Sequence, residues 1–523
     1  MIRSLILRFS FGANNMRETK LAVRLTAFIA MVALSGVATA GTVYVPAPTG
    51  VPAIDWQNIQ QAVDRADKGD TVRFRRGVYV LGADSDFIVI KAPGVQLKGH
   101  RRGTTIVGGD VLPTVDQIGS PYLMGNNSLL QSPPRGFRLT ADKQRISRIR
   151  FKSFRTALFI GFGDSVKTGG YVVEHCKFLE AMYGIQAHVE SDEVTAIRGN
   201  TFINNTFPYD VSGGKYHVSF NYQATPDPQR VPIDDFTHHS GDVAAGGPFY
   251  DEGGAFVTEN NVFEFNVVDG GSEGIQVIGD LGGVVRNNVF RNNQFYDMRE
   301  CPSWTLGDCF GTFSVIVTLG GDVVDNIWVN NTLDRTDGIP LASLNFGGSI
   351  DGNVIVDNEL RSIANGRGLA FNSGTALDGA LPIPTGGATN SIFLDNVITG
   401  DDAGDLANGG LFFGGNSNQF LLNITDAANA ALFINSPDGL FASENPNDRA
   451  VDQDGNLVES LDPNQDFGQL RSCKKILTDT ESDEDDDDHH DRDDDDYDDD
   501  DVTVGQVVEE FSSCVNEAVG ELH

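Results

Sequence analysis

The chain lacks the cysteine spacings of a metal site. It has 5 cysteines, but no C-x-x-C pair, and no Cys/His cluster has the spacing of a zinc ligand set. It also lacks positive charge. Against 73 Asp and Glu stand 38 Lys and Arg, a net of −35. Nucleic acid is therefore not the expected partner, because binding it wants a basic stripe. Beyond the N-terminal 40 residues no stretch approaches 18 consecutive apolar residues, which excludes a transmembrane helix as an expectation. Through most of its length the chain lacks helical periodicity too. Short β-branched and aromatic runs are cut by Asn, Gly and Asp, which reads as short strands joined by tight turns.

What is present is a repeated phrase, Asn-x-apolar-x-x-Asn-x-apolar. Copies start at Asn200, Asn261, Asn288, Asn326 and Asn353, and a worn copy is read from Asn396. The shortest interval between starts is 27 residues, the expected bare repeat, and the longest is 61. The 61-residue interval reads either as one repeat with an insertion or as two repeats. Three apolar columns recur: Phe202, Phe263, Phe290, Trp328 and Ile355; Phe207, Val268, Phe295, Leu333 and Leu360; and Ile197, Thr258, Val285, Val323 and Ile350. A coil of short strands cannot bury an apolar face alone, so such units stack as a solenoid. The recurring Asn suits left-handed backbone at the turns. Its side-chain amides can also bond from coil to coil.

The segment Asp55–Ala66 places Ile59, Ala62, Val63 and Ala66 on one helical stripe. Strand-and-turn units follow at Thr71–Phe74, Gly77–Tyr79, Phe87–Ile90, Val95–Lys98 and Thr105–Val107. A short helix there would seal the open end of a solenoid. The run IQQAVDRADKGDTVRFRRGVY resembles the opening of the pectin-lyase-like superfamily, and the Asn-x-Phe coils resemble its repeats. The resemblance covers about residues 54–433. It implies an all-β, right-handed parallel β-helix with an N-terminal capping helix, a fold that hosts lyases, hydrolases, epimerases, tailspikes and non-catalytic adhesins.

The expected organisation has three parts: a signal peptide over 1–40, the β-helix over 41–450 and a small C-terminal region over 451–523. Lys20 and Arg24 precede the apolar run Leu25–Val37, and Ala38-Thr39-Ala40 forms a small-x-small cleavage site. The chain is thus expected to be exported, secreted or held at the cell surface, with Met1 or Met16 as its start. From Asp479 to Asp501 lie 17 acidic residues and one arginine, a net of −16. That run is expected to be a solvated loop, 479–501, between helices at Phe467–Leu477 and Val502–Val519. No cofactor is required by the sequence. Carboxylate oxygens make Ca²⁺ a candidate ion for the run. Cys301 with Cys309, and Cys473 with Cys514, are the expected disulfides, with Cys176 a buried thiol.

Chemistry is expected where the repeat is interrupted. Within the 61-residue interval the insertion from Tyr222 to Gly254 crowds Asp234, Asp235, His238, His239, Asp242, Tyr250, Asp251 and Glu252 together. Two carboxylates can act as general acid and base on a glycosidic bond, and a His or Tyr can abstract a proton in β-elimination. Asp235, His238, Asp251 and Glu252 are the candidate catalytic residues. Arg286 is the candidate neutraliser of a uronate carboxylate. The rest of a polar loop is equally a surface loop, and Arg198, Glu259 and Arg286 are equally an ion-pair ladder. Measured against the superfamily the chain resembles, Gly99-His100-Arg101 is not a polygalacturonase motif. Neither the pectate lyase Trp-Ile-Asp-His nor the epimerase Asp-Pro-His-Asp occurs. The functional expectation is a monomer that binds or degrades an extracellular polysaccharide, with a uronate-containing glycan as the candidate. The alternative is a non-catalytic surface, adhesive or matrix protein.

Overall fold

A computed structural model describes residues 40–109, 134–154, 156–161, 169–179, 181, 183–188, 196–208, 218–224, 257–269, 273–297, 316–335, 341–345, 349–363, 369–373, 376–378, 381–383, 386–400, 411–414, 419–425, 432–435, 440–443, 461, 466–478 and 503–522. The chain winds through three sheets, here A, B and C, and each turn gives one strand to each. Thr201–Ile203 lies in A, Thr206–Pro208 in B and Val218–Ala224 in C. The next turn supplies Val262–Glu264, Val267–Asp269 and Glu273–Arg286. Each strand pairs in parallel with its counterpart one turn on, as in Phe202 with Phe263, Phe207 with Val268 and Phe220 with Ile275. Among the described residues the antiparallel pairings are Asn372–Ser373 with Gly386–Gly387, and Ala376–Asp378 with Leu381–Ile383. The fold is the expected right-handed parallel β-helix, in the hand that parallel crossovers take.

The three apolar columns are the core. Phe202, Phe263, Phe290, Trp328 and Ile355 stand in direct register, all fully buried. The rings stack at 5.0, 5.2 and 5.5 Å between centroids. Phe207, Val268, Phe295, Leu333 and Leu360 form the second column. The third runs from Ile197 to Ile350. The 61-residue interval holds one coil: Ala196–Arg198 pairs directly with Val257–Glu259, and the extra length falls within 225–256.

Two asparagine ladders flank the core, both buried. One joins Asn200, Asn261, Asn288, Asn326 and Asn353, each amide nitrogen donating to the next side-chain oxygen at 2.9–3.1 Å. The other joins Asn205, Asn266, Asn293, Asn331, Asn358, Asn396 and Asn423 at 2.8–3.2 Å. Two sequence expectations are corrected here. Asn396 belongs to the second ladder, bonded to Asn358. The sixth copy therefore starts at Ser391, whose hydroxyl accepts the Asn353 N–H. The left-handed residue is also the one before each ladder Asn: Asn, Asp or Gly in most coils, as at Asn204, Asn260, Asp325 and Gly352, but Phe265 and Leu422 in two, all with φ between 51° and 64°. The ladder Asn is chosen for its carboxamide, and its predecessor, in most coils, for its tolerance of positive φ.

The N-terminal cap is α1, Pro52–Asp64, which begins three residues before the expected Asp55. Proline at its start suits a first turn whose N–H groups have no helical partner. Ile59, Ala62, Val63 and Ala66 are buried as expected. Asp55 is fully buried and accepts hydrogen bonds from the Thr49 N–H and hydroxyl and from the Gly50 and Val80 N–H groups at 2.7–3.1 Å. It ties the entering chain to the first coil.

At the other end lie α2 (Gly468–Cys473), α3 (Lys475–Thr478) and α4 (Val504–Leu522). The Cys473–Cys514 disulfide joins α2 to α4. These helices cover the outer face of sheet A. Phe467, Leu470, Leu477, Val508, Phe511 and Val515 pack on Ile327, Val329, Val354, Val356, Ile392 and Leu394. Cys176 is a buried free thiol, as expected, and burial pushes it up to about 12. Cys301 and Cys309 lie outside the described residues, as does the acidic run 479–501 with its expected calcium. Among the described residues no group of three or more His, Cys, Asp or Glu side chains is placed to hold a metal ion. No helix there is long and apolar enough to cross a membrane.

A latch holds the helices down. The Lys474 ammonium donates to Asp357 and Asp395, both at 2.8 Å. Burial opposes the charge on Lys474, but its hydrogen bonds to the two aspartates outweigh that and raise its pKa above 10.5. Burial pushes Asp357 up, more than Lys474 pulls it down, so the latch is a weak net stabiliser, about 1 kcal/mol or less. A raised lysine contributes fully below its unfolded-state pKa and loses that contribution as pH rises through its folded value. The thermal midpoint is therefore expected to fall above about pH 10.5 by more in the parent than in Lys474→Met. Equal alkaline slopes in melts across that range would show that the latch contributes nothing.

Candidate functional site

Sheet C is where the chain varies most in length. Between sheets A and B the connection is a two-residue turn in coil after coil, as between Ile203 and Thr206 or Val329 and Thr332. On either side of sheet C it is longer. The chain leaves sheet B at Tyr296 and enters sheet C at Ile316; it leaves sheet C at Ala224 and returns at Val257. Long connections are where binding and catalytic residues concentrate, which makes the borders of sheet C the place to look for a site.

Register sets polar residues along this sheet. Gln186, Asn221 and Gln276 occupy one column. His188 and Gln223 pair two residues further along. The alternate positions of these strands belong to the interior, where Ile185, Ile275 and Val277 are buried. Sequence reasoning passed over these amides and His188 because it looked for carboxylates in the insertions. The available signal was the alternation of apolar and polar residues in YGIQAH and VSFNYQ.

The edge of sheet C beside the 225–256 insertion carries charge. Glu259, with its side chain only 10% exposed, receives two guanidinium groups. Arg286 Nε and Nη2 approach its Oε2 at 2.9 and 2.7 Å. Arg198 Nε lies 3.5 Å from its Oε1. The expected column of Arg198, Glu259 and Arg286 is therefore present in adjacent coils. One coil beyond Arg286 sits Asp325. Burial raises its pKa, and the Asp351 charge raises it further, against the lowering effect of Arg286. Asp351 is held by the Thr389 hydroxyl at 2.6 Å and the Asn390 amide at 2.7 Å. The close approach of Asp325 to Gly352 explains that glycine: a Cβ there would meet Asp325 Oδ1 at 2.3 Å, at a φ of +64°.

Of the sequence candidates, Arg286 stands at this edge with half its side chain exposed. Asp234, Asp235, His238, His239, Asp242, Tyr250, Asp251 and Glu252 lie outside the described residues, in the stretch whose two ends are Ala224 and Val257. Asp325 was missed by sequence reasoning, since its environment is made by Asp351 and Arg286 of the neighbouring coils, 26 and 39 residues away.

The geometry defines a parallel β-helix with a charged edge beside sheet C. No protein-family model matches the chain, and no curated protein matches it in sequence. Solved structures similar to it include ORF18 of Geobacillus virus E2, at 13% identity and a TM-score of 0.33, covering 83% of this chain and 65% of that one. The catalytic domain of a GH87 α-1,3-glucanase is 12% identical with a TM-score of 0.37, over 79% of this chain and 69% of that one. A mannuronic acid specific family 6 polysaccharide lyase from human gut microbiota is 12% identical with a TM-score of 0.35, over 92% and 100% of the two chains. This chain thus spans about two thirds of the length of the viral protein.

Proposed function

We propose that the chain is an exported β-helix that binds an acidic polysaccharide along sheet C and cuts it beside the 225–256 insertion. The observation that carries this reading is the Glu259 edge. Two arginines share the Glu259 carboxylate there, and Arg286 keeps about half its side chain exposed. An exposed guanidinium suits a uronate carboxylate, and the raised pKa of Asp325, one coil on, suits a proton donor. In this reading Arg286 neutralises the uronate, and Asp235, His238, Asp251 and Glu252 are the acid and base candidates. Export is supported by the Lys20–Ala40 leader pattern and by the Cys473–Cys514 disulfide, which an oxidising compartment maintains.

The test is incubation with a panel of uronate-containing glycans, read by ultraviolet absorbance of unsaturated ends and by reducing ends. Arg286→Gln is expected to lower kcat/KM by about tenfold or more on the glycan that is cut, while His238→Ala abolishes unsaturated product. Absence of both products across the panel, with binding retained, would transfer the reading to a non-catalytic surface protein. The observation that favours that alternative is the completeness of the Arg198–Glu259–Arg286 pairing, which explains itself as an inter-coil ladder.

A further inference from the structure

The net charge of −35 conceals a basic region on the first coils. At the corner between sheets A and B the left-handed position is Arg148, then His175 and Asn204, later Asn292 and Asn330, and finally Asp357 and Asp395. The corner thus changes sign along the axis. Its acidic end is covered, since Lys474 bonds both aspartates. Its basic end is open: Arg148 and His175 are exposed.

The strands on both sides add cations of the same sign. Arg73 stands directly opposite Lys98 in sheet A, and Arg150 directly opposite Lys177 in sheet B. Like charges opposite one another in adjacent strands destabilise a sheet. Elsewhere the fold cancels outward cations coil by coil. Arg145 pairs with Glu174, and Arg291 with Glu264 at 2.7 Å. Glu174, the carboxylate nearest this corner in the chain, is taken by Arg145. Among the described residues Arg73, Lys98, Arg148, Arg150 and Lys177 make no ion pair. Adjacent coils are about 4.8 Å apart, so Arg73 and Lys98 in sheet A, Arg148 at the corner, and Arg150 and Lys177 in sheet B form a band that runs along the axis over successive coils.

We propose that this A–B corner of the first coils is a second binding surface, one that holds a carboxylated or sulfated glycan by charge. It lies across sheet A from the Glu259 edge and does not depend on catalysis there. A band of unpaired cations running along the axis matches a linear chain bearing regularly spaced anions. Single-stranded nucleic acid wants aromatic platforms between the cations. The residues beside Arg148, Arg150 and Lys177 are Ser147, Lys152, Glu174 and Leu179, none of them aromatic, and among the described residues the single exposed ring against the row is Tyr44, opposite Arg73 at its outer end. The acidic remainder of the molecule confines a polyanion to this end, which fits tethering of the protein to an anionic matrix with the sheet C face left free.

The experiment measures binding of the chain to polygalacturonate, dextran sulfate, neutral dextran and an oligothymidylate of matched charge, over a range of NaCl. Both anionic glycans are expected to bind, with log K falling against log salt at a slope of about −2 or steeper, since each cation contributes roughly 0.7 on a single-stranded polyanion. The relative strengths of polygalacturonate and dextran sulfate tell carboxylate from sulfate as the preferred anion. The triple variant Arg148→Asn, Arg150→Ser, Lys177→Ser is expected to lose about tenfold or more in affinity and most of the salt slope. Arg148→Lys, Arg150→Lys, Lys177→Arg keeps both, and so separates charge from folding. Dextran sulfate carries no uronate for the sheet C site, so loss of its binding in the triple variant reports this surface alone, while glycan cleavage reports the sheet C reading. Unaltered binding by the triple variant, or no binding of either anionic glycan by the parent, overturns the surface. Equal or tighter binding of the oligothymidylate overturns the glycan assignment.

Discussion

Removal of residues 466–523 is expected to make the chain aggregate rather than simply lose a tail. The helices of this segment cover Ile327, Val329, Val354, Val356, Ile392 and Leu394 on the outside of sheet A. The flanking residues of earlier coils on that face include Arg145, Glu174, Glu264 and Arg291, which tolerate water. In the three coils after Arg291 the same places hold Ile327, Val329, Val354, Val356, Ile392 and Leu394. Uncovering them creates a contiguous apolar patch across at least three coils, a surface that monomeric proteins rarely expose. Phe511→Ala is the point version. Phe511 is fully buried, and an aromatic-to-alanine change at such a site costs about 3–5 kcal/mol. The expected readout is early undocking: dye binding to apolar surface and sensitivity of α4 to protease, both below the main melting transition. A truncated chain that stays monomeric by light scattering would show that the hairpin is dispensable.

Asn331→Ala is expected to destabilise the β-helix by about 3 kcal/mol or more. The Asn331 side-chain oxygen accepts the Asn293 N–H at 3.1 Å and the Asn293 amide at 3.0 Å. Its amide donates to the Phe290 carbonyl and to Asn358, both at 2.9 Å. Alanine leaves the Asn293 N–H without an acceptor in a site from which water is excluded, and breaks the ladder in both directions. The control is one residue away. Asn330 is exposed, with φ 53° and one side-chain bond, to Asn292 at 2.7 Å. Asn330→Ala should cost only about 1 kcal/mol for the left-handed backbone, and Asn330→Gly less. Equal losses for Asn330→Ala and Asn331→Ala in urea melts would remove the special role of the buried amide.

The neighbouring pair also shows how far sequence reading reaches. The offset of five residues between the two asparagines is visible in the chain, and so are the columns of Phe, Val and Leu between them. Those features need only local spacing, because each coil repeats the same packing problem. The division of labour between Asn330 and Asn331 is not visible, since both are asparagine and only backbone conformation separates the turn residue from the ladder residue. The worn copy failed for the same reason. With Ser391 in the leading place, a pattern anchored on Asn slid five residues to Asn396, and only the bond to Asn358 restores the frame.

The docking of the C-terminal helices was half legible. Ile327-Trp328-Val329, Val354-Ile355-Val356 and Ile392-Phe393-Leu394 lose the alternation of a strand with one wet face, which announces that both faces are buried. Nothing local names the partner. The functional edge was legible in part as well. Arg198, Glu259 and Arg286 could be aligned by their offset from the repeat, but the raised pKa of Asp325 comes from burial among other coils.

The sequence by itself determined the coil, its core columns, the capping helix and the acid-rich insertion, because a repeat dictates the same short-range contacts at every turn. Tertiary structure alone decided which sheet the insertions border, which face the terminal helices cover and where cations remain unpaired. Those properties depend on residues brought together from different coils, and a one-dimensional chain carries no distance between them until it is wound.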